Sequence, residues 1–262
     1  MRTHSPEVRR KAMALLHSGA RNADVARELN VPVGTVGHWL HNDRARRGAC
    51  PGRPVTKCPR CDGEPLAQSS YAYLLGLYLG DGHIGQYRKH RVPSLRITCA
   101  DSWPGLMDEC EFALRAVLPG NAVSRVRKTG CHDVKVVSRH LWCLFPQHGP
   151  GKKHDRPIVL EPWQQDIVEA HPWEFIRGLI HSDGSRITNW TEKLIGGERK
   201  RYEYVRYFFT NTSTDILGLF TDALNRVGVE WRSANQSRRA QNISVARKAS
   251  VQLMDQHIGP KY

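Results

Sequence analysis

The chain has 262 residues, is 40% hydrophobic, and carries 39 Lys+Arg against 25 Asp+Glu for a formal charge of +14. This is the composition of a globular protein with ample core, in one large or two to three small domains, and its charge favours a polyanionic partner, nucleic acid first, over an acidic small substrate. Membrane roles are disfavoured. No apolar run reaches the ~20 residues that cross a bilayer, and no amphipathic helix pairs a basic face with a Leu-rich or aromatic one. MRTHSPEVRRK lacks the apolar segment of a secretory signal, so a cytoplasmic protein is expected; its expected oligomeric state is a monomer. Seven cysteines are an odd number, which fits free or metal-bound thiols better than a disulfide framework.

From residue 5 to 42, apolar residues recur at helical spacing: Val8, Ala12, Leu15 and Leu16, then Val25, Ala26 and Leu29, then Val36, Trp39 and Leu40. Ser5-Pro6 opens a first helix, His17-Ser18-Gly19 closes it, and Asn30-Val31-Pro32 breaks the second from the third. The layout over residues 1–45 is that of a small all-α helix-turn-helix domain. Its third segment, Val33 to Leu40, resembles the xxTVxxWL recognition helix of transposase and resolvase heads. That resemblance implies base-edge contacts, for which Thr35 and His38 are the candidates. Val33, Gly34 and Gly37 stand where such heads place polar side chains, so phosphate anchoring through Arg44, Arg46 and Arg47 is expected to outweigh base readout.

Residues 46–70 are rich in Pro, Gly and charge and read as a linker. Within them Cys58 and Cys61 have zinc-knuckle spacing, with Cys50 as a possible third ligand. The fourth ligand would have to be His41 or a distant cysteine. Reduced surface thiols are the alternative.

Residues 71–262 contain one unit twice. YLLGLYLGDG (73–82) returns as FIRGLIHSDG (175–184), aligning Gly76 with Gly178, Gly80 with Ser182 and Asp81 with Asp183. Each copy continues with a strand, a charged loop and an alternating strand, SLRITC (94–99) in one and YVRYFFT (204–210) in the other. An amphipathic helix, two more strands and a last helix follow in each. The boundaries read from this pattern are 71–145 for the first half, 146–171 for a Pro-rich basic connector, and 172–262 for the second half.

The two motifs resemble the signature helices of the LAGLIDADG homing endonucleases in their single-chain, two-motif form. The implied fold is α+β, a pseudo-twofold pair of αββαββα halves. Small residues four apart, Gly76 and Gly80, Gly178 and Ser182, suit backbone-to-backbone contact between the motif helices. That contact would bring Asp81 and Asp183 together, where like charges and the negative ends of two helix dipoles require a cation. Mg²⁺ or another divalent ion suits two carboxylates beside a phosphate, and the implied activity is metal-assisted hydrolysis of one phosphodiester in each strand of double-stranded DNA. The family's basic residue near the metals falls nearest Arg139 and Lys248. The sixth motif position, often acidic in the family, is Leu79 in one copy and His181 in the other.

For the DNA face the candidates are Arg96, Thr98, Arg125, Arg127, Lys135, Arg206, Arg232, Arg238 and Arg239 on strands. Arg88, Lys89 and Arg91, with Arg199, Lys200 and Arg201, are expected in loops. A regulator that binds DNA on the same scaffold without cutting it is the second functional reading.

Overall fold

A computed structural model describes residues 4–47, 58–86, 92–235 and 241–262, apart from the side chains of residues 45, 46, 154, 234 and 235. Cys50, Arg88, Lys89, Arg91, Arg238 and Arg239 lie outside the described residues, as does the side chain of Arg46. The chain divides into two units between Val55 and Thr56, inside the stretch read as a linker.

In the first unit, Ser5 caps helix α1 (Pro6–His17) by accepting the Val8 amide at 3.3 Å, with Pro6 at its first position. Gly19, at φ +94°, ends it. Helix α2 (Asn22–Glu28) is followed by Asn30 in the left-handed region (φ 51°), and Pro32 precedes α3 (Val33–Arg46). Of the periodic set, Ala12, Val25, Ala26, Val36 and Trp39 are buried between the three helices together with Val31 of the break, and Val8, Leu15, Leu16 and Leu29 pack against them partly buried.

The second unit begins its regular structure with α4 (Gln68–Leu79), three residues before the expected start. β1 (Gly82–Gly85), β2 (Ser94–Ala100), α5 (Pro104–Val117), β3 (Val123–Lys128), β4 (Cys131–Val137) and the short α6 (Leu141–Leu144) complete the first half. The connector holds a 3-10 turn at Lys153–Asp155 and helix α7 (Pro162–Ala170). Gln164 explains that helix. Its side chain accepts the Glu161 amide at 3.0 Å, closing the first turn, and its Nε2 donates to Tyr71 Oη at 2.6 Å in the core.

The second half repeats the order: α8 (Pro172–Asp183), β5 (Gly184–Ile195), β6 (Glu198–Asn211), α9 (Thr214–Arg226), β7 (Arg232–Asn235), β8 (Gln241–Val245) and α10 (Lys248–His257). Both sheets are antiparallel and four-stranded, ordered β1-β2-β4-β3 and β5-β6-β8-β7. Among the described residues no helix is long and apolar enough to cross a membrane.

One expectation fails locally. Residues 198–201 are strand, not loop, because Gly196 (φ +61°) and Gly197 (φ +85°) form a two-residue turn that pairs Ile195 with Glu198. Consecutive positive φ values match the turn to the strand twist, and the hairpin carries Arg199, Lys200 and Arg201 along β6.

The core is organised around α4 and α8. Every residue of α4 from Tyr71 to Leu79 is buried, as befits a helix apolar on all sides. A Cβ on Gly76 would lie 2.5 Å from the Phe175 carbonyl oxygen and 2.8 Å from the Leu179 nitrogen, and one on Gly178 would meet the Tyr73 carbonyl oxygen. Those obstacles are backbone and cannot rotate away. Gly218 in α9, by contrast, has open space around it. Gly76→Ala is therefore expected to destabilise the second unit by about 3 kcal/mol or more, whereas Gly218→Ala stabilises it by ~0.5–1 kcal/mol through helix propensity. Chemical denaturation of the two variants checks the opposite signs.

Candidate active centre and basic sheet faces

Asp81 follows α4 and Asp183 ends α8, so the helix contact sets the distance between their carboxyls. A Cβ placed on Gly80 would collide with Ser182 and lie 3.3 Å from Asp183 Cγ. Glycine at position 80 thus lets the second aspartate approach the first helix end.

Two lysines complete the centre. Lys153 Nζ donates to the carbonyl oxygens of Tyr78 (2.6 Å), Gly80 and Gly82 (3.0 Å), and Lys261 Nζ donates to that of Ser182 (2.9 Å). Gly80 and Ser182 are repeat-equivalent, each immediately before its aspartate. One ammonium therefore sits on the same carbonyl in each half, where the helix C-terminus presents negative charge.

Burial raises the Asp81 pKa to about 6, with the Asp183 charge adding to the rise, while Lys261 and Lys153 oppose it. Asp183 is also raised by burial, against Lys153, a hydrogen bond from Asn211 Nδ2 (2.8 Å) and Lys261. Lys153 is lowered to about 8 by burial, which outweighs the two carboxylates. The halves differ in one respect. Gly82 pairs with Ile97 and Gly184 with Phe209, which makes Cys99 the counterpart of Asn211. Asp183 receives an amide donor, and Asp81 has a thiol in that place. A cleft of about 260 Å³, lined by Gly80, Lys153, Asp183 and Asn211 among others, opens onto the centre.

Lys153 and Lys261 occupy the place expected for Arg139 and Lys248. Arg139 lies in the exposed turn after β4, and Lys248 is exposed at the start of α10. Neither is among the groups acting on the aspartates. Lys153 belongs to the basic GKKH stretch of the connector, the one sequence signal that pointed towards it. For Lys261 there was none. His181 is a core residue, 4% exposed, with Nδ1 3.0 Å from Tyr73 Oη, and burial first, then Arg177 and Lys261, lower its pKa to about 3. His148 is likewise lowered to about 4 by burial and bonds to Tyr78 Oη at 2.8 Å.

Strand register sorts the expected DNA-contacting residues by face. Leu95, Ile97 and Cys99 face the helices, while His83, Arg96, Lys135 and Ser124 form one row across the opposite face. Thr98 shares that outer face and donates to Asp133 Oδ1 at 3.0 Å, beside Lys128 Nζ at 2.7 Å. Arg125 does not share it. It pairs across from buried Val134 and binds Asp108 (2.5 Å) and Glu111 (2.7 Å) of α5. Arg127, in the row of Cys99 and His132, is on that same helix-facing side. In the second sheet Arg232 shares the outer face with Phe208, Ser244 and Ser185, and Arg206 lies on it over the Tyr204 ring at 5.1 Å. Arg199, Lys200 and Arg201 are exposed on the hairpin, Arg201 over Trp190 at 4.9 Å.

In the first unit Thr35 is half-buried, and His38 is exposed and bonded to Asn42 at 3.0 Å. Arg44 is exposed, whereas Arg47 is drawn into a cluster with Asp43 and His17. Cys58 and Cys61 lie with His140 and Cys143, their four ligand atoms all within 4.8 Å of one another.

No family model and no curated protein matches the chain. Solved structures share its fold. Mesophilic variants of the homing endonuclease I-DmoI match at 17% identity over 73% of this chain and 96% of that one, with a TM-score of 0.50. I-DmoI in complex with DNA and Mn matches at 16% over 74% and 98%, also at 0.50. The N-terminal LAGLIDADG domain of DUF199/WhiA is similar at 14% identity over 75% and 86%, with a TM-score of 0.46. At these identities the likeness to I-DmoI establishes the LAGLIDADG fold.

The raised Asp81 pKa has a signed consequence. The native state binds its proton more tightly than the unfolded chain, so this contribution to stability falls as pH rises from 3.8 to about 6 and stays lost above. Asp81→Asn is expected to stabilise the second unit at pH 7–8 by about 1 kcal/mol after solvent screening, roughly 2–4 °C in Tm, and to lose that advantage below pH 4. Thermal melts across pH without added divalent cation check it.

Proposed function

We propose that the chain is a site-recognising, double-stranded DNA endonuclease of the LAGLIDADG type. The observation that carries the reading is the juxtaposition of Asp81 and Asp183 at the ends of two helices in backbone contact. Their surroundings fit a hard divalent cation such as Mg²⁺: the donors are carboxylate oxygens, and both carboxyl pKa values are raised by burial, with the charge of Asp183 adding to the rise at Asp81. Asp81 and Asp183 would hold the ion. Such an ion lowers the pKa of water and neutralises charge on a phosphodiester oxygen.

Lys153 and Lys261 supply positive charge from two sides of the same centre, positioned to oppose the charge that develops on a phosphate under attack. Lys153, with a pKa of about 8, is poised to hold or release a proton near neutrality. The outer sheet faces, through Arg96, Lys135, Arg206 and Arg232, would follow the DNA backbone. The hairpin cations Arg199, Lys200 and Arg201 extend that track. The three-helix unit would add a helix-turn-helix anchor through Thr35, His38 and Arg44.

A second reading, a DNA-binding regulator that does not cut, is favoured by one observation. The two ammonium groups already sit on the Gly80 and Ser182 carbonyls and balance the two carboxylates. Incubating the full chain with a randomised duplex library and Mg²⁺, then sequencing the ends, separates the readings. The nuclease predicts Mg²⁺-dependent ends at an enriched site, lost at least ~100-fold in Asp81→Asn/Asp183→Asn while binding persists. Enrichment of bound duplexes without new ends would leave the regulator. In either case, if 6–10 phosphates are contacted, affinity is expected to drop about 10³–10⁵-fold between 50 and 200 mM salt in filter-binding assays.

A further inference from the structure

The stretch from Cys58 to Leu66 adds only Cys58 and the partly buried Leu66 to apolar packing, and most of its other residues are exposed. It is nevertheless held in a defined turn. The Asp62 amide donates to the Cys58 carbonyl at 2.9 Å, and the Cys58 amide donates to Asp62 Oδ2 at 2.7 Å. This turn presents two sulfurs three positions apart in the chain. Facing them, at the junction of β4 and α6, His140 and Cys143 are joined by the first turn of the short helix, the Cys143 amide donating to the His140 carbonyl at 3.1 Å.

The four ligand atoms all lie within 4.8 Å of one another. Cys61 Sγ is 3.5 Å from His140 Nδ1 and 3.2 Å from Cys143 Sγ, and His140 Nδ1 is 3.9 Å from Cys143 Sγ. Tetrahedral zinc with bonds of about 2.3 Å to sulfur and 2.0–2.1 Å to nitrogen places its ligands about 3.5–3.8 Å apart. The observed edges bracket that spacing. The set also has the right chemistry: soft sulfurs and one imidazole, in two short C-x-x-C and H-x-x-C pairs brought together across 79 positions of sequence.

We propose that Cys58, Cys61, His140 and Cys143 form a closed structural Zn²⁺ site that fastens the segment leading into α4 onto the end of the first half. The ion binds three thiolates and the neutral His140 Nδ1, releasing three protons to solvent. Its position explains why so polar a segment is ordered. Arg60, inside the knuckle, lies over Trp163 of α7 at 4.5 Å, Trp163 packs on Tyr71, and Tyr71 Oη donates to the Leu144 carbonyl at 2.5 Å. The metal thus ties the knuckle to α4, α6 and α7 together. Cys50 is replaced by Cys143 in the ligand set, and His41 has no part in it.

The test uses the full chain, purified under reducing conditions without chelator. Elemental analysis should give roughly one zinc per chain, and Co²⁺ added to the stripped protein should give sulfur-to-metal charge-transfer and intense visible bands that saturate at one equivalent. Cys143→Ser and His140→Ala should each weaken Co²⁺ binding at least tenfold, while Cys50→Ser leaves it unchanged. A chelator should lower the Tm of the wild type and not that of Cys143→Ser. Zinc-free protein with octahedral, weak cobalt spectra would overturn the site, as would loss of binding in Cys50→Ser with retention in Cys143→Ser, or a Cys61–Cys143 disulfide found by mass spectrometry. The wild-type cobalt spectrum decides the matter even if a variant folds poorly.

Discussion

At Gly76 and Gly178 two helices meet with no room for a side chain between them, and the geometry of the second unit follows from that contact. Glycine in a helix interior weakens the helix, so its presence at both positions is understandable only through what its absence of bulk permits. Here it permits backbone to touch backbone, with Leu and Phe side chains displaced to the flanks, where they form the core of both halves. Moving either helix outward by the thickness of a methyl group would open that core and separate the two chain segments that leave it at Asp81 and Asp183.

The same contact creates an electrostatic problem that the rest of the chain is arranged to answer. Two helix C-termini and two carboxylates converge, and the answer comes from segments outside the repeat: Lys153 from the connector and Lys261 from beyond α10. A proton, an ammonium group and a divalent ion are alternative solutions to one charge imbalance. The centre is therefore tunable. The Asn211 amide beside Asp183, with Cys99 in the equivalent place beside Asp81, makes the two halves chemically unequal although their backbones repeat.

The repeat was legible in the sequence because its constraints are local and repeated: glycines four apart, an aspartate at the helix end, and period-two alternation in SLRITC. What was not legible depends on partners remote in sequence. Arg125 reads as a groove-facing cation until its register places it across from Val134, where Asp108 and Glu111 claim it. Gly196-Gly197 reads as a loop until the flanking residues pair and turn it into a tight hairpin. The C-x-x-C spacing of Cys58 and Cys61 is legible locally, but only the fold brings Cys143 and His140 to face them. The two lysines of the centre arrive from irregular segments, where neither periodicity nor motif operates.

The placement of Lys261 ties the charge of the centre to a contact made elsewhere in the fold. Its segment is held by the Tyr262 ring packed over Gly105 and by the Tyr262 hydroxyl on Glu109, both on α5 of the first half. The charge beside Asp81 and Asp183 therefore depends on a contact made on another helix: loosening Tyr262 from α5 would withdraw Lys261 and leave the two carboxyls with Lys153 alone, so packing between the halves and electrostatics at the centre are one property.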